Sequence, residues 1–187
     1  VDGIYFVPLE VSGLDKEIMI EVRKSPWENK FYSSIFMPLP IRITEEKYYV
    51  EESYVKTTRV DFPGITHFIV DQDKVNDPLF FFNLLKRNMD KETYDAFGVM
   101  YYDSKNNFLT PLVYVNDTDS LIWERSCASG TCALGVAMAY PIKEGFRQNI
   151  YQPGGNLEIQ VEFEDKKVKS ILLDGLVEIV AEGKLYI

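Results

Sequence analysis

Leu121-Ile122-Trp123-Glu124-Arg125-Ser126-Cys127-Ala128-Ser129-Gly130-Thr131-Cys132-Ala133-Leu134-Gly135-Val136-Ala137-Met138-Ala139 carries two structural signals in succession. Leu121 to Trp123 is apolar and strand-like. A charged pair follows, Glu124 and Arg125, and then a small polar turn around Cys127. The remainder is a run of small apolar residues that reads as a buried helix. Cys127 therefore stands where a strand hands over to a helix. The first N–H groups of a helix have no partner inside it. They bind anions and lower the pKa of a thiol placed beside them. The expectation is a carboxylate site next to a reactive thiolate.

Working outward, the helix is expected to stop near Tyr140, because Pro141 blocks its continuation. Beyond it, Asn149 to Gln152 leads into a Pro153-Gly154-Gly155 turn. Leu157 to Phe163 then alternates strictly, which marks a half-buried strand. Val168 to Leu173 and Leu176 to Val180 follow as strands, closed by glycine turns at Gly175 and Gly183. On the other side, Ile4–Val11 and Glu17–Arg23 read as a hairpin about the turn Ser12 to Lys16. Ser33–Phe36 and Tyr48–Val60 are further strands. Pro63-Gly64 turns the chain into an apolar strand holding His67. Pro78 to Asp90, with Leu79, Phe82, Leu85 and Met89, has helical spacing, and Asp77 can cap it. Tyr94–Tyr102 and Leu112–Val115 are strand-like. Many strands around one surface helix and one small-residue helix give an α+β class. An antiparallel or mixed sheet wrapped around that central buried helix accounts for both patterns.

The composition agrees. The chain has 187 residues, 46% of them hydrophobic and 26% charged, so a packed core is expected. A formal charge of −9 argues against nucleic acid or an acidic membrane surface as a partner. Two cysteines and one histidine make neither a disulfide framework nor a zinc constellation. No leader and no long apolar run is visible, so a cytoplasmic location is expected.

At Trp123 to Ala133 the chain resembles the cofactor-independent amino-acid racemases and epimerases, of which the diaminopimelate epimerases are the best-known branch. Tyr151-Gln152-Pro153-Gly154-Gly155-Asn156-Leu157, Leu173-Asp174-Gly175, Glu182-Gly183 and Pro63-Gly64-Ile65-Thr66-His67 extend the likeness over most of the chain. Only Ser126 separates the Glu-Arg pair from the cysteine. Ile65 and the Phe97-Gly98 region replace asparagines that bind substrate in the diaminopimelate branch. In these respects the chain is similar to racemases of simpler amino acids, including the histidine racemases. The resemblance implies two similar domains facing a cleft, each supplying one cysteine, and no pyridoxal phosphate or other cofactor. It further implies that this is the C-terminal part. Residues 1–30 would then be the remainder of the N-terminal epimerase-like domain. Residues 31–187 would be the C-terminal domain carrying Cys127, with its last strands packing back on the first. The expected partners are an amino-acid substrate and either the missing N-terminal domain or a second copy of the chain.

Inverting an α-carbon without a cofactor requires one base on each face of it. Cys127 is the expected catalytic thiol, whereas Cys132 lies one turn deeper in the apolar run, where core packing is the simpler reading. Ala128, Ser129 and Gly130 would hold the α-carboxylate on their N–H groups. Arg125 would bind a carboxylate, and Glu124 would pair with the ammonium or take the thiol proton. His67 would assist proton movement. The rival readings are an isomerase of the phenazine-biosynthesis type on the same fold, and a hydrolase built on Cys127 and His67.

Overall fold

The computed structural model describes residues 3–11 and 14–184. Ser12 and Gly13 of the expected first turn lie outside these residues. β1 (Ile4–Leu9) and β2 (Ile18–Lys24) form the expected antiparallel hairpin, with Val7 opposite Ile20. β3 (Lys30–Phe36) continues the sheet. The single strand expected from Tyr48 to Val60 is instead two, β4 (Arg42–Val50) and β5 (Ser53–Phe62). The chain reverses at Glu51 and Glu52, whose φ angles are 44° and 68°. Two-residue hairpin turns often need positive φ at both central positions and favour Gly or Asn there. Two glutamates carry no such signal, which is why the turn was invisible in the sequence.

β6 (Ile65–Asp71), α1 (Pro78–Met89) and β7 (Ala96–Asp103) form a βαβ unit with β6 and β7 parallel. Asp77 caps α1 as expected, accepting from the Phe80 N–H at 2.9 Å, and Pro78 occupies the first turn. The buried stripe is Phe81, Phe82, Leu85 and Met89, whereas Leu79 faces solvent. β8 (Phe108–Val115) and β9 (Ser120–Trp123) lead into α2 (Ala128–Ile142). α2 runs two residues past Tyr140. Pro141 falls in its last turn, so the lost hydrogen bond comes where the ladder is ending, and Lys143 closes the helix in the left-handed region.

β10 (Phe146–Gln152), β11 (Gly155–Glu164) and β12 (Lys167–Glu178) complete the chain. Gly175 is not a turn. It lies within β12, opposite Leu157 on one side and Ser33 on the other, and an added Cβ would meet Leu157 Cδ2 at 2.5 Å. The glycine is needed for this close approach.

The strands make one mixed sheet in the order β1-β2-β3-β12-β11-β10-β8-β7-β6-β5-β4, with β9 beside β8. β7 is buried on both faces. Phe97, Val99 and Tyr101 join the cluster with α1, and Met100 and Tyr102 join the cluster with α2. α2 is apolar on all sides and correspondingly buried. It packs against β10, β11 and β12 and also against β5, β6 and β7. Gly135 permits the contact with β11, since a Cβ there would lie 2.6 Å from Ile159 Cγ1. No helix among the described residues is long and apolar enough to cross a membrane.

Candidate active site

Cys127 is the N-cap of α2, with extended backbone angles (φ −124°, ψ 108°). Its peptide is held at both ends. The Cys127 N–H donates to Gln152 Oε1 at 2.8 Å. The Cys127 carbonyl accepts from Thr131 Oγ1 at 2.7 Å and from the Thr131 N–H at 3.0 Å. Gln152 Nε2 donates to Thr131 Oγ1 at 2.9 Å, which closes the ring. Gln152 and Thr131 are both buried. Neither was singled out as a site residue. A signal existed for Gln152: it shares the inward face of β10 with buried Ile150, and a buried amide requires partners.

The other amides of the first helical turn divide cleanly. Gly130 is buried and its N–H is turned toward the Cys127 sulfur, where it favours the thiolate without closing a capping bond. A Cβ at Gly130 would run into the Met100 sulfur and lie 3.1 Å from Cys127 Sγ. The N–H groups of Ala128 and Ser129 have no partner among the described residues. Ala128 is exposed and Ser129 half-buried, so these two amides form the open part of the helix start.

The expected thiolate is not what this geometry favours at rest. Cys127 is 5% exposed, and its thiol is pushed up to about 12. Burial is the largest cause, because it penalises the charged sulfur. The nearby Glu124 carboxylate pushes the same way, because its negative charge disfavours a thiolate beside it. Gly130 N–H and Ser129 oppose them and lose. The helix start therefore does not by itself ionise Cys127. Cys132 is fully buried in the core around α2, and burial raises its pKa as well.

Glu124 is positioned by its N–H, which donates to the Pro111 carbonyl at 3.0 Å. Arg125 is exposed, and its carbonyl accepts from the Gly154 N–H at 2.6 Å. Its Nη2 lies 3.5 Å from the Pro153 carbonyl, and its guanidinium has no carboxylate partner among the described residues. An added Cβ at Gly154 would sit 2.9 Å from the Arg125 carbonyl oxygen, so this turn must be glycine to come so close.

His67, on β6, is fully buried. Its Nε2 is 2.9 Å from Ser129 Oγ, which in turn is 3.8 Å from Cys127 Sγ. His67 Nδ1 has no partner among the described residues and faces the bare Cα of Gly98, where a Cβ would come within 2.8 Å. Burial alone lowers the His67 pKa to about 3, so the ring is neutral. A neutral ring carries one N–H. An unpartnered buried N–H is rarer than an unpartnered acceptor, so the proton belongs on Nε2 and is donated to Ser129. The Ser129 hydroxyl is then free to donate to the sulfur. His67 thus reaches Cys127 through Ser129 and not directly, as a cysteine hydrolase would require. A cleft of about 580 Å³ opens beside Ser129, walled by Phe62, Pro63, Gly64 and Ile65, with Cys132 at its edge.

The comparisons agree with one another. The family model of the histidine racemase CntK N-terminal domain matches residues 1–186. That description departs from the C-terminal placement that the motifs imply. A histidine racemase of Fusobacterium nucleatum subsp. nucleatum is 39% identical over 178 residues, 94% of this chain and 63% of that protein. A histidine racemase of Staphylococcus aureus is 26% identical over 159 residues, 83% of this chain and 58% of that protein. The chain thus spans somewhat less than two thirds of the length of these relatives. Among solved structures, a hydroxyproline epimerase from Agrobacterium vitis with bound trans-4-hydroxy-L-proline has a TM-score of 0.62 at 10% identity, covering 94% of this chain and 58% of that one. An epimerase assigned by prediction, from Pseudomonas aeruginosa, has a TM-score of 0.57 at 11% identity, covering 97% and 69%. These likenesses establish an epimerase-type fold. Matched over nearly its whole length by that family's model and over 94% of its length by a relative at 39% identity, the chain belongs to the histidine racemase family.

Proposed function

We propose that this chain forms one half of a cofactor-independent racemase acting on histidine or a closely similar amino acid, with Cys127 as one of its two thiols. The observation that carries the reading is the sulfur of Cys127 beside the Glu124 carboxylate and next to two unpartnered amides, Ala128 N–H and Ser129 N–H. The α-carboxylate sits on those amides. As the α-proton leaves, negative charge flows into the carboxylate. Fixed donors and the helix dipole stabilise that state more than the ground state. One such donor is typically worth about 3–4 kcal/mol.

A resting thiol suits the role of proton donor. A base on the far face of the substrate takes the α-proton, and Cys127 delivers one to the near face. In the opposite direction Cys127 must first lose its proton, and Glu124 is placed to accept it. The second sulfur is proposed to come from the part of the relatives' length that this chain does not span. Cys132 does not fit that role, since it is fully buried in α2.

Two features support a second half. β5, β6, β7, β10, β11 and β12 pack on α2 as one epimerase-like unit. Beyond that unit, Tyr5, Val22, Ser33 and Gly175 lie side by side across β1, β2, β3 and β12, as do Val7, Ile20, Ile35 and Leu173. This face is continuous with the one that Leu173 turns to the core, yet Tyr5, Val7 and Val177 on it are exposed. A second unit would bury it.

The test is α-proton exchange of L- and D-histidine in deuterated water, followed by NMR, with the chain alone and with the chain joined to the rest of the enzyme. The chain alone should be inactive and the joined protein active. Unchanged exchange by the joined protein carrying Cys127→Ser would end this reading.

A further inference from the structure

We infer that the turn Gln152-Pro153-Gly154, together with Thr131, is the positioning element of the reactive loop, and that Gln152 decides which amides remain for the substrate. The inference rests on the racemase reading above. The segment Arg125-Ser126-Cys127 has no regular structure of its own between β9 and α2. What fixes it is one turn from the tail of the chain. The Gly154 N–H holds the Arg125 carbonyl at 2.6 Å, and Gln152 Oε1 holds the Cys127 N–H at 2.8 Å. Gln152 then reaches Thr131 with its other amide atom at 2.9 Å, and Thr131 Oγ1 holds the Cys127 carbonyl at 2.7 Å.

The chemistry gives this arrangement two consequences. The Cys127 peptide is fixed at both ends, so the sulfur keeps one position relative to the amide pair, and small displacements of a reacting group are costly. The Cys127 N–H is also withdrawn from the substrate. With Gly130 N–H turned to the sulfur, the carboxylate is offered Ala128 and Ser129 only. Without Gln152, a third donor opens one residue upstream. A carboxylate that shifts toward it draws the α-carbon away from the sulfur. Gln152 and Thr131 are thus positioning residues, acting through the Cys127 backbone.

Loss of position and loss of fold are separated by an asymmetry of the reaction. Each enantiomer presents its α-proton to a different base. If Cys127 is displaced, wash-out of the α-proton falls for the enantiomer facing Cys127 and persists for the other, whose base is untouched. General destabilisation lowers both alike. The experiment measures initial α-proton wash-out from L- and D-histidine separately, in the full-length enzyme, for Gln152→Leu, Thr131→Val and Thr131→Ser, with thermal melts of each. Gln152→Leu and Thr131→Val should slow one enantiomer at least tenfold and the other less than twofold. Thr131→Ser keeps the hydroxyl and should stay near the unsubstituted rates. Equal loss for both enantiomers, no loss for either, or failure of both Gln152→Leu and Thr131→Val to fold would overturn the positioning role. Absence of wash-out from either enantiomer in the unsubstituted enzyme would instead overturn the racemase reading itself.

Discussion

Ser129 stands between His67 and Cys127, with its Oγ 2.9 Å from the histidine Nε2 and 3.8 Å from the cysteine Sγ. The histidine is too deeply buried to become charged, so its effect on the sulfur passes through a hydroxyl as hydrogen bonding. Ser129→Ala removes the acceptor of a buried ring N–H, which costs about 1–3 kcal/mol. It also removes a group that favours the thiolate. The melting temperature should fall, and alkylation of Cys127 by iodoacetamide at fixed pH should slow.

Burial and, after it, the Glu124 carboxylate keep Cys127 in the thiol form. Glu124→Gln takes away the charge and keeps the size, so the Cys127 pKa should drop below about 12. Cys127 alkylation at pH 8 should accelerate. Racemisation by the full-length protein should decline, because the acceptor for the thiol proton is gone. These two opposed changes separate a proton acceptor from a residue that merely supports the loop. Parallel loss of both would count against the proton-acceptor role.

His67 makes the stability depend on pH in a defined window. Its folded pKa is lowered from 6.5 to about 3 by burial. The unfolded chain therefore binds a proton that the folded chain refuses throughout that interval. The stabilisation is complete above about pH 6.5 and drains away as the pH falls toward 3, at up to about 1.4 kcal/mol per pH unit. In urea titrations at several pH values, His67→Gln should be flatter than the unsubstituted chain between these limits. Equal slopes would show that the ring is not buried as described.

Gly135 tests how closely α2 meets β11. Alanine would gain about 1 kcal/mol of helix propensity. Its Cβ would also lie 2.6 Å from Ile159 Cγ1 and 3.0 Å from Val161 Cγ2, in a fully buried layer. Overpacking of that kind costs about 1–3 kcal/mol. Gly135→Ala should therefore lower stability modestly in chemical denaturation, whereas Gly183→Ala, which meets nothing within 4 Å, should not.

The local chain chemistry was enough to place Cys127 at the start of a buried helix. Small apolar residues on every side of α2 require burial, and Asp77 followed by Pro78 marks a helix start in any context. Strict alternation from Leu157 to Phe163 likewise specifies a strand with one buried face. Local patterns could not reveal the hairpin at Glu51-Glu52, because its turn depends on backbone angles those residues rarely adopt. Nor could they show that Gly175 lies inside a strand, since that depends on Leu157 approaching from another part of the chain.

For the site, short-range order placed Cys127 at a helix N-terminus and Glu124 beside it. The state of the sulfur was decided by distant partners. Burial in the core and the nearby carboxylate outweigh the helix amides, because desolvation of a thiolate is larger than the pull of one or two N–H groups. The roles of Gln152, Thr131 and Ser129 likewise arise from contacts between residues far apart in the chain. Sequence sets which groups are available and how each segment prefers to fold. Tertiary packing sets the dielectric and the distances, and those determine which groups hold protons and which remain open to a substrate.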